Sequence, residues 1–105
     1  MLTLPIKQPW YGMIFRGEKS EEYRLRTPYW EKRLESVFGC SIQEAVDNCV
    51  LAQVRFRNGY RADSPSFTAQ VRLRIGTGRP EWGAQPGIEY FILRILTMST
   101  EKGGQ

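Results

Sequence analysis

The sequence predicts an α+β domain in which short helices come first and long antiparallel strands follow, the strands curling into a small closed or partly closed barrel. Two patterns carry this reading. Apolar residues recur at helical spacing in the first half of the chain, and from residue 50 onward they alternate with polar ones. The third observation is the chain's modest length of 105 residues. It holds one domain with a small core, and curling the sheet removes strand edges that would otherwise stand open.

Taken in order, Leu2, Leu4 and Ile6 alternate with Thr3 and Pro5, a short strand that Pro5 places at an edge or ends. Pro9 suits the first turn of a helix, Trp10, Met13 and Ile14 give it one apolar face, and Gly17 stops it. A second strand spans about 19–26. Glu22, Arg24 and Arg26 share one of its faces, while Tyr23 and Leu25 share the other, read as the core face. Thr27-Pro28 starts a helix as N-cap and first residue. Its apolar stripe is Trp30, Leu34, Val37 and Phe38, and Gly39 ends it. Ser41 with Glu44 fits the capping box of a further short helix near 42–47.

Val50, Ala52, Val54 and Phe56 then alternate with Leu51, Gln53, Arg55 and Arg57, and Asn58-Gly59 signals a turn. Residues 60–66 form a loop around Asp63-Ser64-Pro65. Ala69, Val71, Leu73 and Ile75 alternate with Gln70, Arg72 and Arg74 in the next strand. Residues 76–87 are a long glycine- and proline-rich connection, a kind often functional in a small domain. The last strand covers 89–97, with Phe91, Leu93 and Ile95 on one face, and 99–105 reads as a frayed tail. The chain is thus one domain, 1–105, with its core within about 2–98.

Composition narrows the function. With 41% hydrophobic and 25% charged residues the chain is globular. No apolar run approaches the ~18 residues that span a bilayer, and the first residues lack the basic start and apolar core of a signal peptide; a cytoplasmic protein without a membrane partner is expected. The net charge is +4, and arginine supplies 11 of the 15 cations. Its planar fork suits phosphate and stacks on bases, so a nucleic-acid partner is indicated. The absence of histidine excludes a histidine base, Ser-His and Cys-His nucleophile pairs, and histidine-ligated metals. Cys40 and Cys49 are too few and too far apart for a zinc site, and in the cytosol both are expected reduced. No metal and no cofactor is expected.

Three constellations stand out. The run Gly17-Glu18-Lys19-Ser20-Glu21-Glu22-Tyr23-Arg24 packs cations, acids, a hydroxyl and a ring into eight residues. On the strand face opposite Tyr23, Glu22 and Arg24 need a partner, a ligand or water. Lys19 beside the carboxylates can clamp a phosphate, pair structurally, or act as a nucleophile if burial lowers its pKa. Arg55, Arg57, Arg72 and Arg74 form an arginine stripe if their strands pair. Like charges across a sheet need compensation, from nucleic-acid phosphate or from glutamates and water. The third set is aromatic: Tyr29, Trp30, Tyr60 and Trp82 can stack unpaired bases near a basic cleft, although Trp30 also fits the helix's core stripe.

Ile6-Lys7-Gln8-Pro9-Trp10 followed by Gly17-x-Lys19-x-x-Glu22-x-Arg24 resembles the signature of the ASCH (activating signal cointegrator homology) domain of the PUA-like superfamily. Pro28-Tyr29-Trp30-x-x-Arg33-Leu34, Phe56-Arg57-Asn58-Gly59-Tyr60 and Glu81-Trp82-Gly83-Ala84 are similar to the small microbial and phage-type members. The resemblance covers most of residues 6–96. It implies a PUA-like small β-barrel, mixed but largely antiparallel, with short flanking helices. It also implies a cleft lined by the motif that binds RNA or a nucleotide, single-stranded or modified. Lys19, Glu22 and Arg24 map onto the motif directly; Trp30, Arg33, Asn58 and Tyr60 follow from similar surroundings.

Some members of that family deacetylate N4-acetylcytidine with a lysine, a threonine three residues later and a more distant glutamate. This chain keeps Lys19 but has Glu22 in place of the threonine, with Ser20 one residue off; Glu44 and Glu81 are the candidates for the later glutamate. Three functions therefore stand side by side. The leading one is an RNA- or nucleotide-binding module. The second is a Lys19-dependent hydrolase of a modified nucleoside, with Glu22 as its catalytic partner, or an RNA-processing enzyme. The third is a partner-binding adaptor without nucleic acid.

Overall fold

In the computed structural model, which describes residues 1–100, five strands and three short helices follow one another as β1 (Leu2–Ile6), α1 (Trp10–Phe15), β2 (Glu21–Leu25), α2 (Pro28–Phe38), α3 (Ile42–Asp47), β3 (Leu51–Asn58), β4 (Ser66–Thr77) and β5 (Glu89–Thr100), with one 3₁₀ turn at Pro80–Trp82. The predicted stop and start residues do their work. Gly17 and Gly39 both take positive φ after their helices. Thr27 Oγ1 accepts the Trp30 N–H at 3.3 Å, and Ser41 and Glu44 close a reciprocal capping box at 3.1 Å each. On α1 the buried residues are Tyr11 and Ile14 rather than the expected Met13. Tyr11 packs on Phe67, with centroids 5.3 Å apart.

The strands form one mixed sheet in the order β1-β3-β4-β5-β2. Only β1 and β3 run parallel; every other pairing is antiparallel. The α+β reading is therefore right, and the sheet is a half-barrel. β1 and β2, its two ends, come close enough for the Arg24 side chain on β2 to donate to the Pro5 carbonyl of β1 at 3.4 Å. No strand joins them among the described residues.

Alternation sorts the sheet into two faces. One carries Leu4, Val54, Phe56, Val71, Leu73 and Phe91, all essentially inaccessible, and packs against Leu34 and Phe38 of α2 and Ala45 of α3. The other carries the arginines of β3 and β4. β4 begins at Ser66 and β5 continues to Thr100, so Ser66, read as the end of a loop, and residues 99–100, read as tail, belong to the longest hairpin of the fold. The rest of the expected tail, 101–105, lies outside the described residues. The ladder steps between Gln70 and Val71, whose partners are Thr97 and Ile95, and the extra residue Leu96 bulges out half-exposed.

β2 departs from expectation. Tyr23 is buried, but it pairs with Ile92, not with a residue of the main core. Its surroundings are a second cluster with Ala84, Tyr90 and Ile92, roofed by Trp82 on the connection between β4 and β5. Leu25 shares its face but lies beyond that roof and is 54% exposed, correcting its placement in the core. The connection that looked functional from its length thus has a packing role. At Gly78 a Cβ would stand 2.6 Å from the Tyr23 ring, so only glycine allows this approach.

Phe91→Ala removes a ring from the centre of the main core and is expected to cost about 3–5 kcal/mol. Leu25→Ala, for all its apolar side chain, is expected to stay within about 0.5 kcal/mol. Urea unfolding of the two variants checks both.

Candidate functional site

The seam between β1 and β2 is a cleft of about 390 Å³ lined by Pro5, Ile6, Lys7, Trp10, Glu22, Arg24, Tyr29, Trp30 and Tyr60. Each element delivers its residues for a local reason. Glu22 and Arg24 pair with Leu93 and Phe91, so they stand on the main-core face at the open end of the sheet. Tyr29 and Trp30 sit in the first turn of α2, which Thr27-Pro28 starts directly after β2. Trp10 opens α1, and its indole lies against Gly83, where a Cβ would approach to 3.2 Å. Tyr60 reaches the mouth from the loop after β3 and is 80% exposed.

Lys19, Glu22 and Arg24 form one connected group. Glu22 Oε1 accepts from Lys19 Nζ at 3.0 Å, and Glu22 Oε2 accepts from Arg24 Nη1. Two cations thus share one carboxylate, which leaves the group net positive. Lys19, expected to line the cleft with the rest of the motif, is instead behind the lining, 1% exposed, between the rings of Tyr23 at 4.8 Å and Trp10 at 5.8 Å. Burial lowers its pKa below the usual lysine value, against the opposing pull of Glu22. Arg24 lies 5.1 Å from the Trp30 ring, so one face of this guanidinium is packed.

The same cations close the edge of the sheet. Ser20 O accepts the Ile95 N–H at 2.8 Å, so even-numbered residues of β2 turn their backbone towards β5 and odd-numbered ones turn theirs outward. The outward carbonyls are all taken. Glu21 O accepts from the Lys19 ammonium, Tyr23 O from Arg24 Nη1 at 2.8 Å, and Leu25 O from the Thr27 N–H at 2.8 Å. No buried side-chain polar atom among the described residues lacks a partner.

The outer face holds a second ionic group that sequence reading missed. Glu21, 5% exposed, accepts from Arg74 Nη2 and from the Tyr23 hydroxyl, both at 2.9 Å. Burial works to raise the Glu21 carboxyl, but these two hydrogen bonds and the charges of Arg74 and Arg94 outweigh it and hold it below the usual range. The Arg79 N–H donates to the Tyr23 oxygen at 3.0 Å. Burial, aided by the Glu21 carboxylate and opposed by Arg79, pushes the Tyr23 hydroxyl up to about 12.

Of the predicted site residues, the cleft gathers Glu22, Arg24, Tyr29, Trp30 and Tyr60, with Lys19 directly behind. Arg33 stands beside it, its guanidinium 3.9 Å from the Tyr29 ring. Asn58 ends β3 opposite Ile6 and is not in the lining. The arginine stripe divides. Arg55 and Arg57 pair with Thr68 and Ser66, whereas Arg72 stands across from Leu51 and Arg94, and Arg74 is engaged by Glu21. Trp82 packs in the second cluster, with Arg79 4.7 Å from its ring. Glu44 serves the α3 cap and Glu81 pairs with Arg79 at 3.4 Å; neither lines the cleft. Lys7 and Trp10 belong to the lining although only the first motif segment hinted at them.

No family model matches this chain, and no curated protein or solved structure matches it. The cleft's chemistry is therefore read from its own residues: two aromatic walls, a half-buried guanidinium held rigid by Glu22, and an excess of positive charge.

Tyr23 titrates at about 12 in the fold against 10.0 unperturbed. A raised pKa means that its contribution is complete below pH ~10 and is lost as the pH rises towards ~12. Lys19, lowered from 10.5, acts in the opposite sense: stability rises with pH while the folded side chain has lost its proton and the unfolded one still holds it, and the rise ends as the unfolded form deprotonates near 10.5. Tyr23→Phe is expected to lose about 1–3 kcal/mol at neutral pH, since the Arg79 N–H and Glu21 each lose a partner. It should also flatten the alkaline fall in stability, read by chemical unfolding across that range.

Proposed function

We propose that this chain is an RNA- or nucleotide-binding module of the ASCH type in the PUA-like superfamily, with the seam between β1 and β2 as its binding cleft. The observation that carries this reading is the convergence of the motif residues. Glu22 and Arg24 from β2, Tyr29 and Trp30 from α2 and Tyr60 from a loop after β3 line one concave site. Exposed rings beside fixed cations suit an unpaired base and its phosphate. The mixed half-barrel with flanking helices agrees with what the resemblance implies for the fold. A cytoplasmic site of action goes with this reading; the described residues contain no helix long and apolar enough to cross a membrane.

One observation favours a second reading, a small hydrolase of a modified nucleoside. Lys19 has a lowered pKa and is hydrogen-bonded to Glu22, the pairing that a proton-transfer step needs. Against it, Lys19 lies behind the cleft lining, and neither Glu44 nor Glu81 joins it.

Single-stranded RNA is expected to bind with an affinity that falls steeply with salt. Tyr60→Ala should weaken it by about 1–3 kcal/mol, the worth of one stacked base, while leaving the melting temperature unchanged because the ring is exposed. Equal affinity of the variant and wild type removes Tyr60 from the site. Release of cytidine from N4-acetylcytidine that disappears in Lys19→Ala promotes the hydrolase. Absence of both binding and turnover leaves the adaptor.

A further inference from the structure

A second depression, of about 850 Å³, is lined by Leu2, Thr3, Gln53, Lys32, Arg33 and Ser36 among others, and no carboxylate lines it. It lies between the same two elements as the cleft. On β1, Thr3 lines the groove and Pro5 lines the cleft, two residues apart and on one face, about 7 Å along the strand. On α2, Tyr29 and Trp30 line the cleft and Lys32 and Arg33 line the groove, one helical turn apart, about 5 Å. Arg33 joins the two, since its guanidinium packs on Tyr29. On β3, Arg55 is in register with Thr3 and Arg57 with Pro5, and neither lines the groove or the cleft. Arg72 and Arg74 are on β4, one strand further from β1, and Arg74 is held by Glu21.

Resting on the RNA-binding reading above, we propose that this groove between β1 and α2 carries the sugar–phosphate backbone of a single-stranded RNA whose unpaired base occupies the cleft. The groove supplies what a backbone needs: exposed cations on one wall, hydroxyls and an amide on the others, and no opposing carboxylate. It has no ring in its lining to read a base, whereas four line the cleft, the half-buried Trp10 and Trp30 and the exposed Tyr29 and Tyr60. Recognition is thus divided, the cleft selecting the base and the groove adding affinity that grows with strand length.

The test compares two probes on two proteins. The probes are the four ribonucleoside 5′-monophosphates and a short single-stranded RNA of mixed sequence. The variant is Lys32→Glu with Ser36→Glu, exposed positions on a helix that glutamate suits; thermal melting confirms its fold. Mononucleotide affinity should be unchanged. RNA affinity should fall about tenfold at low salt, and the log–log salt dependence should become shallower by at least about 0.7, the share of one phosphate contact on a single strand. RNA binding equal to wild type overturns the proposal. So does a larger loss in Arg72→Gln with Arg94→Gln, which would put the backbone across the outer face of the sheet. Failure of the wild-type protein to bind either probe is a different result, since it removes the cleft's own function and not only the groove's.

Discussion

The guanidinium of Arg24 spans the seam of a sheet that has not closed on itself. It donates to Glu22 and to the Tyr23 carbonyl on its own strand and to the Pro5 carbonyl on the opposite edge, and one of its faces is packed on Trp30. A ladder of backbone hydrogen bonds there would complete a barrel and leave no cleft. A side chain bridges the gap instead, and the space beside it becomes the site. Lys19 serves the same edge from behind, and Glu22 holds both cations at once. The spacing Lys-x-x-Glu-x-Arg follows from this geometry. Glu22 and Arg24 must share a strand face, and the lysine must precede the strand by enough to fold back onto the Glu21 carbonyl. Such a group rigidifies the fold only while every member is satisfied, which it is here.

Most elements were legible because their signals are local. Caps at Thr27 and Ser41, stops at Gly17 and Gly39, and strict alternation in β3, β4 and β5 depend on neighbours in sequence. What misled was long-range. The alternation of β2 correctly set Tyr23 against Glu22, but it could not say that both faces are covered, one by the main core and one by the connection between β4 and β5. Tyr23 found a roof and Leu25 did not. Glu21 escaped notice because a carboxylate beside two other charges reads as surface; its burial depends on Arg74, 53 residues away.

The site was legible in composition more than in position. The motif and its rings do converge, yet the arginine stripe, read as one surface, is split by register. Arg72 directly faces Arg94, a like-charge pair that costs stability, and the single buried acid on that face, Glu21, sits nearby with its carboxyl kept ionised. A carboxylate placed to neutralise arginines is a structural answer to the stripe, and it operates without any ligand. The cleft has no such surplus of acid: among the described residues Glu22 is the one carboxylate in its lining, where Lys7 and Arg24 also stand, and it is paired with Arg24 and with Lys19 behind.

The close approach of the β4–β5 connection has a bearing on where this chain tolerates change. Gly78 lies against Tyr23 and Gly83 against Trp10, so the same dozen residues brace both the outer cluster and a wall of the cleft. Lengthening them would pull on the indole from a distance. The turn at 61–64 is different: its Arg61–Asp63 pair is solvent-facing and Ser64 N–H bonds back to Arg61 O within the turn. A fluorophore or an inserted epitope belongs there. Among homologues, length variation should collect at that turn while the β4–β5 connection keeps its residue count, for reasons of shape rather than of chemistry at the site.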